Sequence, residues 1–343
     1  MKKLLNTLYV TTPDTYLTLD GENVIVKKDA DTLLRVPLHN LEGIITFGYT
    51  GASPKLMGAC ADRAISLSFL TANGRFLASV TGIEHGNVLL RRAQCRLADK
   101  EEESIKIVRN LLIGKLYNSR WVLERLIRDH SMRVDTSKLQ AVSKFFAESI
   151  QRMRIVDNID SARGIEGEAA SQYFSVFNEL ILQNKNDFSF HTRERRPPKD
   201  RVNSMLSLAY TLLASEVTSA ISSVGLDPFI GFLHSDRPGR RSLSLDLMEE
   251  LRSVFADRFV VSLINTRQIA ASDFIQKEDG AVFLKDEPRK AFLVAWQNRK
   301  QEKIVHPFLK EKIEWGLVPY VQALLLARYI RGDLDEYPPF LWK

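Results

Sequence analysis

The 343-residue chain has only two cysteines, Cys60 and Cys95, and they lack the paired spacing of a zinc knuckle or a disulfide framework. A reduced, cytoplasmic setting is the expectation. Seventeen glycines and twelve prolines are too few for a collagen-like or low-complexity chain, and no internal repeat is visible. Neither charge sign dominates: 48 basic against 42 acidic residues leave a formal +6, so a polyanionic partner must be argued from where the charges lie. The opening apolar run, Leu4 to Val10, is broken by Asn6 and Thr7 and is too short for a signal core or a membrane span, so no membrane association is expected. Gly-x-Ser-x-Gly elbows, a Walker loop and a dinucleotide fingerprint are all missing, which leaves no bound organic cofactor to expect. What is present is 45% hydrophobic and 26% charged residues, enough apolar material for a globular chain of two domains.

Periodicity divides the chain. From Leu8 to Val80, short β-rich runs alternate with turn residues: Tyr16–Leu19, Val24–Val26, Thr32–Val36 and Gly43–Phe47, with Asp20-Gly21 as a hairpin signal. A small-residue helix is predicted over Ser53–Ala64, and Asn73-Gly74 marks a second hairpin between Ile65–Phe69 and Phe76–Val80. Beyond residue 84 the period moves from two towards 3.6. Helices are predicted over Val88 to about Leu116, Ser119–Arg128, Thr136–Met153, Gly164–Gln183, Val202–Val224, Leu245–Phe255, weakly Asp273–Gln276, Lys290–Gln297 and Pro319–Arg331. The predicted class is α+β: a small N-terminal β-rich domain, 1–84, followed by a larger all-α domain, 85–343.

Three stretches carry ionisable groups where the pattern expects apolar ones. In Gly164-Ile165-Glu166-Gly167-Glu168-Ala169-Ala170, helical spacing puts Glu166 with Ala169, Ala170 and Tyr173 on the inner face, and Glu168 with Ser171, Gln172 and Ser175 on the outer one. A carboxylate turned inward needs a cation, a metal or strong donors beside it. A structural arginine would satisfy Glu166 equally well. In Gly225-Leu226-Asp227-Pro228, glycine ends a long helix and the following apolar run closes on His234, a position that most often holds a packed core histidine. In Leu245-Asp246-Leu247-Met248-Glu249-Glu250-Leu251-Arg252, Asp246 and Glu249 lie three apart on one helix face. For Asp246 a helix N-terminus is explanation enough; for Glu249, further in, it is weaker. Taken together, Glu166, His234 and one more carboxylate form an oxygen and nitrogen donor set suited to Mg²⁺ or Mn²⁺, the imidazole favouring Mn²⁺.

Two basic clusters accompany them. Residues 191–201 hold five positive charges against two negative, including Arg193, Arg195, Arg196 and Lys199, and stand before a helix carrying Asn203. Between Lys285 and Lys312, eight basic residues, Arg299 and Lys300 among them, are interleaved with Phe292, Trp296 and Phe308. Basic residues with aromatics can hold a DNA strand, although a solvated helix face is the commoner meaning of either cluster.

The ordered set of Gly164-Ile165-Glu166-Gly167-x-Ala169-Ala170-x-x-Tyr173-Phe174, Arg195-Arg196-Pro197-Pro198-x-Asp200-x-Val202-Asn203, Gly225-Leu226-Asp227-Pro228 with His234, and Leu245 to Arg252 resembles the CRISPR-associated Cas-one family, over nearly the whole chain. The N-terminal part looks most like the version found in subtype I-C systems. The resemblance implies that Glu166, His234 and Glu249 coordinate a divalent metal, with Asp246 as an acidic helper; relatives with aspartate at the position of Glu249 leave open which of Asp246 and Glu249 is the closer ligand. It implies that Arg91, Gln94, Lys115, Asn118 and Arg120 are polar positions near DNA. The implied activity is insertion of short foreign DNA into a CRISPR array, by 3′-hydroxyl attack on a phosphodiester, together with metal-dependent endonuclease cleavage of branched DNA. The implied partners are DNA, a second copy of the chain through the N-terminal domain, and the small ferredoxin-like second adaptation protein; the subtype adds an iron–sulfur exonuclease. Two other readings compete: a non-catalytic DNA scaffold whose acidic cluster is structural, and a metal-dependent repair nuclease that uses water.

Overall fold

The computed structural model describes residues 6–72, 76–80, 88–194 and 197–343. The Asn73-Gly74 turn lies outside them. The chain forms two compact units: Met1–His85 with Leu284–Lys303 and Glu314–Leu317, and Gly86–Phe283 with Ile304–Ile313 and Val318–Lys343.

In the first unit, β1 (Thr7–Val10), β5 (Gly43–Phe47), β7 (Ser66–Leu70) and β8 (Phe76–Val80) make one sheet in the order β1-β5-β7-β8, parallel except for the last pair. The other sheet runs β4-β3-β2-β6, from β2 (Thr15–Asp20), β3 (Asn23–Lys28), β4 (Asp31–Pro37) and β6 (Gly51–Ala52). The hairpin signal is realised as the β2/β3 turn, where Asp20 pairs with Asn23 and Gly21 takes φ +57°. Ser53 caps helix α1 (Pro54–Asp62) by accepting from Leu56 N, with Pro54 in the first turn. Leu17, Val24, Ile44, Leu56, Cys60 and Leu67 belong to one buried apolar cluster.

A division at residue 84 gives all of 285–343 to the helical part, but α10 (Asp286–Gln301) belongs to the first unit. The reason is burial: Phe292 and Trp296 are fully enclosed, Arg289 bonds the carbonyl of Ala72 and lies over the Phe47 ring, and Lys300 Nζ is 3.3 Å from Thr7 Oγ1.

The second unit is helical: α2 (Val88–Ala98), α3 (Glu101–His130), α4 (Thr136–Ile155), α5 (Ile159–Ser175), α6 (Phe177–Leu180), α7 (Arg201–Ser223), α8 (Ser242–Met248), α9 (Arg258–Asn265) and α11 (Val318–Ile330). The predicted break near residue 117 falls instead at Asp99-Lys100, after which Glu101, Glu102 and Glu103 open α3 at the end that favours acids. α5 starts five residues early because Asn158 caps it, accepting from Ser161 N at 2.8 Å. Residues 274–276 are strand β9, paired with β10 (Val282–Leu284), and β11 (Lys303–Val305) pairs with β12 (Lys312–Glu314), so the region predicted as all-α carries two short ladders. Among the described residues, α7 alone has the length and hydropathy of a membrane span, but Val202, Met205, Leu206, Ala209, Leu213 and Val217 are core residues.

Residues 333–343 do not fray. Tyr337 and Phe340 are buried, and the backbone joins α3 through Asn110 Nδ2 to Tyr337 O (2.8 Å) and Trp342 N to Asn118 Oδ1 (2.8 Å). Their anchor is a buried polar chain. The N–H groups of Phe308 and Leu309 donate to His306 Nδ1, so the imidazole proton sits on Nε2 and is given to Gln322 Oε1; the Gln322 amide nitrogen then faces Glu250 Oε2 at 2.9 Å. Burial pushes the Glu250 carboxyl up to about 8 and His306 down to about 4, so both are neutral in the folded chain near pH 7. The signs oppose each other. The stability Glu250 supplies is complete below about pH 4.5 and is lost as pH rises through about 8; that of His306 is complete above about 6.5 and lost as pH falls through about 4. Denaturant titration of the wild type against Glu250→Gln should therefore show a wild-type deficit growing by about tenfold in the folding equilibrium per pH unit between pH 6.5 and 8. Parallel curves would show that Glu250 is not held neutral.

Candidate active site

Gly225, at φ +86°, ends α7 and releases the segment that reaches His234. Gln94 on α2 binds that segment at three points: its Nε2 donates to the carbonyls of Asp227 and Ile230, both at 2.8 Å, and its Oε1 accepts from Asp227 N at 2.9 Å. Gly231 then passes so close to α8 that a Cβ would lie 2.7 Å from Ser242 Cβ and 2.9 Å from Asp246 Oδ2. That approach gives Asp246 its role. Fully buried, it accepts from the N–H groups of Phe232 (2.7 Å), Leu233 (3.0 Å) and His234 (3.0 Å), and its Oδ1 is 2.6 Å from His234 Nδ1. An ionised carboxylate only accepts, so the imidazole proton sits on Nδ1 and the Nε2 lone pair is left free. Arg163 on α5 fixes the next carbonyl, Leu233 O, from Nε (2.9 Å) and Nη2 (2.5 Å), and reaches Ser235 Oγ at 3.2 Å.

His234 lines a cleft of about 380 Å³ with Glu166 from α5, Lys115 from α3, Arg163, Arg240, Tyr173, Tyr210, and Glu249, Arg252 and Asp257 from the stretch after α8. That stretch is irregular: a 3₁₀ turn over Glu249–Leu251 and a π-helical turn over Arg252–Asp257, a helical form concentrated at functional sites. Lys115 bridges the two glutamates, bonded to Glu166 Oε1 and 2.7 Å from Glu249 Oε2. Arg252 is 3.1 Å from Glu249 Oε1 and lies over the Tyr210 ring. Burial by itself would raise the Glu249 carboxyl, but Arg252 and Lys115 outweigh it and bring it down to about 2. Burial likewise opposes the charge on Lys115, and Glu249 and Glu166 hold its pKa raised nonetheless. Deeper in, Tyr210 donates to Asp257 Oδ1 at 2.6 Å, and burial raises that carboxyl to about 6.

Glu166, His234 and Glu249 are thus brought to one cleft, whereas Asp246 is turned away from it and holds the histidine. Glu168 is exposed and pairs with Arg152 on the outer face. Whether these residues suit a divalent ion can be judged on the donors. Glu249 Oε2 is buried in the cleft wall, with the Lys115 ammonium 2.7 Å away. Two carboxylates and a free imidazole nitrogen are the chemistry such an ion requires. Among the described residues, no three acidic, histidine or cysteine side chains are spaced to enclose an ion in this conformation, in which the Lys115 ammonium already bridges the carboxylates.

The candidate DNA-binding residues separate. Lys199 is exposed and Arg91 half-buried; Arg195 and Arg196 lie outside the described residues. Lys115 belongs to the cleft. Asn203 is fully buried, accepting from Arg193 Nη1 (2.7 Å) and Glu194 N and donating to Thr192 O, so it shapes the loop and offers DNA no surface. Arg193 also lies over the Tyr210 ring. Lys300 is buried, and Arg299 pairs with Glu302 and lies over Trp315. Gln94 and Asn118 are buried scaffolding, and Arg120 bonds Ser143 and Glu124. Arg163 and Arg240 were not singled out from sequence; the carbonyl that Arg163 holds, Leu233 O, lies seventy residues away.

Comparison with known proteins agrees with this arrangement. A family model described as CRISPR associated protein Cas1 matches residues 8–298. A CRISPR-associated endonuclease Cas1 from Chlorobaculum tepidum is 50% identical over 343 residues, covering all of both chains. Among solved structures, one chain of a Cas6-RT-Cas1–Cas2 complex is 26% identical with a TM-score of 0.82, over 98% of this chain and 36% of that one. A casposase bound to integration product shares the fold at 24% identity and a TM-score of 0.84, over 98% and 94% of the two chains. With its acidic pair and tethered histidine in one basic cleft, and with a full-length relative sharing half its residues, the chain belongs to the CRISPR-associated Cas1 family.

Proposed function

We propose that the protein is a divalent-metal-dependent DNA endonuclease and integrase of CRISPR adaptation. The observation that carries this reading is the convergence of Glu166, Glu249 and an imidazole with a free Nε2 on one cleft lined also by Arg163, Arg240 and Arg252. Glu166, Glu249 and His234 Nε2 would hold Mg²⁺ or Mn²⁺, which when bound supplies Lewis-acid stabilisation of charge on the phosphate and on the attacking or leaving oxygen. Asp246 keeps the proton on Nδ1, so His234 acts as a ligand and not as a base. The cleft arginines attract and orient the phosphodiester. In strand transfer, a terminal DNA 3′-oxygen forms a new bond to phosphorus and gives its proton to solvent, while the bond to the original 3′-oxygen breaks and that oxygen takes a proton from solvent to become the new 3′-hydroxyl. One diester replaces another, so no nucleotide energy is needed.

The assembly in this proposal is a homodimer through the first unit, working on DNA with the small second adaptation protein; for that second protein, the Cas6-RT-Cas1–Cas2 complex among the similar structures is the support. Subtype I-C, with an iron–sulfur exonuclease partner, completes the reading. The test is an integration assay with the purified chain, its small partner, a supercoiled array plasmid and short duplex DNA, run with Mn²⁺, Mg²⁺ or chelator. Joined product should form only with metal and a free 3′-hydroxyl. Continued cleavage with no joining from either end type would make the protein a hydrolytic nuclease, and metal-independent DNA binding without any chemistry would make it a scaffold.

A further inference from the structure

Glu250 follows Glu249 in the chain and faces the opposite way. Glu249 turns into the cleft; Glu250 is fully buried against the C-terminal segment. Its Oε2 accepts from Tyr337 Oη and Gln322 Nε2, both at 2.9 Å, its Oε1 accepts from Phe340 N at 3.3 Å, and its carbonyl accepts from Asn118 Nδ2 at 2.7 Å. Asn118 is fully used: Nδ2 also donates to Phe340 O (2.8 Å), and Oδ1 accepts from Trp342 N. Trp342 in turn lies beneath Arg258, 4.4 Å from the ring centroid, with Arg125 at 5.7 Å. α3 serves both sides. Lys115 meets Glu166 and Glu249, while Gly114 leaves room for Glu250, whose Oε1 would be 2.8 Å from a Cβ there.

The turn that carries both glutamates is the 3₁₀ segment between α8 and the π-helical turn, where regular i to i+4 bonding is interrupted. Neighbouring residues share one backbone, so whatever holds Glu250 also fixes the place from which the Glu249 side chain departs towards Lys115 and Arg252. We propose that the C-terminal segment from Tyr337 to Trp342 is a positioning element of the active site: by clamping Glu250, it sets the direction of the Glu249 carboxylate. Glu250, Tyr337 and Asn118 are then positioning residues, acting on the reaction only through Glu249. This inference rests on Glu249 being a metal-holding group, as proposed above. Catalysis is sensitive to such placement, a shift of about 1 Å costing up to about 10²-fold in rate.

The test compares full-length Tyr337→Phe, Glu250→Leu and Glu250→Gln with the wild type, reading strand-transfer kcat, DNA affinity and Mn²⁺ affinity by electron paramagnetic resonance. Tyr337→Phe, which keeps the ring, should lower kcat about tenfold and weaken Mn²⁺ binding severalfold while DNA affinity stays unchanged. Glu250→Leu should lower kcat about 10²-fold, and Glu250→Gln, which keeps an acceptor for Tyr337 and Gln322, should restore it to within about threefold. The proposal is overturned if Tyr337→Phe leaves kcat and Mn²⁺ affinity unchanged, or if kcat, DNA affinity and melting temperature all fall together in Glu250→Leu and Glu250→Gln alike. A Glu249→Gln control that keeps full activity and Mn²⁺ binding would instead remove the reading of the site itself.

Discussion

Strand transfer by Glu166→Gln should fall by about 10³-fold or more, and by His234→Ala similarly, while duplex DNA still binds. Lewis-acid stabilisation at a transferring phosphate is worth several kcal/mol, and each 1.4 kcal/mol is about a factor of ten. In the proposed reading the cleft's arginines hold the DNA, and neither substitution removes them, so duplex binding should persist and the loss of the Glu166 charge should leave it equal or tighter. Glu166 is the better probe of the two glutamates. Its side chain is 27% exposed against 6% for Glu249, so the neutral amide disturbs folding less. Losing the Glu249 charge would also leave buried Lys115 and Arg252 short of a counter-charge, and breaking a buried ion pair is costly in itself. Melting temperature measured beside activity separates these effects. A Glu166→Gln protein that folds, binds DNA and integrates at the wild-type rate would remove that carboxylate from the chemistry.

Asp246→Asn should cost both activity and stability, although the residue does not face the cleft. Four donors point at its carboxylate, three from the backbone and one from the imidazole. An amide offers a single acceptor atom and sets an N–H₂ against donors, leaving buried N–H groups without partners at roughly 1–3 kcal/mol each. The histidine also loses the group that fixes its tautomer and ring orientation, a role whose removal typically costs 10–100-fold in metal affinity or activity. The expected result is a lowered melting temperature and a loss of about 10²-fold in strand transfer, partly recovered at high Mn²⁺. Recovery by excess metal distinguishes a misoriented ligand from a missing one, for which saturation should not help. An unchanged Mn²⁺ dependence in a folded Asp246→Asn protein would contradict the tethering role.

Local signals are legible in the sequence: the Asp20-Gly21 hairpin, the small-residue helix from Ser53, and Gly225 at the end of α7 each express a backbone preference of their own residues. Misreadings occur where distant partners decide. Asn118-Ser119 looks like a helix break, yet Asn118 sits inside the thirty-residue α3 because residues 250, 340 and 342 use its amide. Asp99-Lys100, the actual break, precedes three glutamates that read equally well as continuing helix. The basic clusters promised DNA contacts, but Lys300 and Asn203 spend their polarity inside the protein. Ionisable groups interrupting apolar patterns mark 166, 234 and the acidic pair 246 and 249 as candidates, and the structure brings Glu166, His234 and Glu249 to one cleft. The division of labour between Asp246 and Glu249 is not legible, since helical spacing puts both on one face and only the approach of Gly231 separates them.

The lysine between the two glutamates also bears on how the fold tolerates them so close together. Two carboxylates left alone in a cleft would repel one another and draw in whatever cation was abundant. Here the chain sets its own amine between them, so the fold itself offsets the repulsion of holding two carboxylates side by side in one cleft.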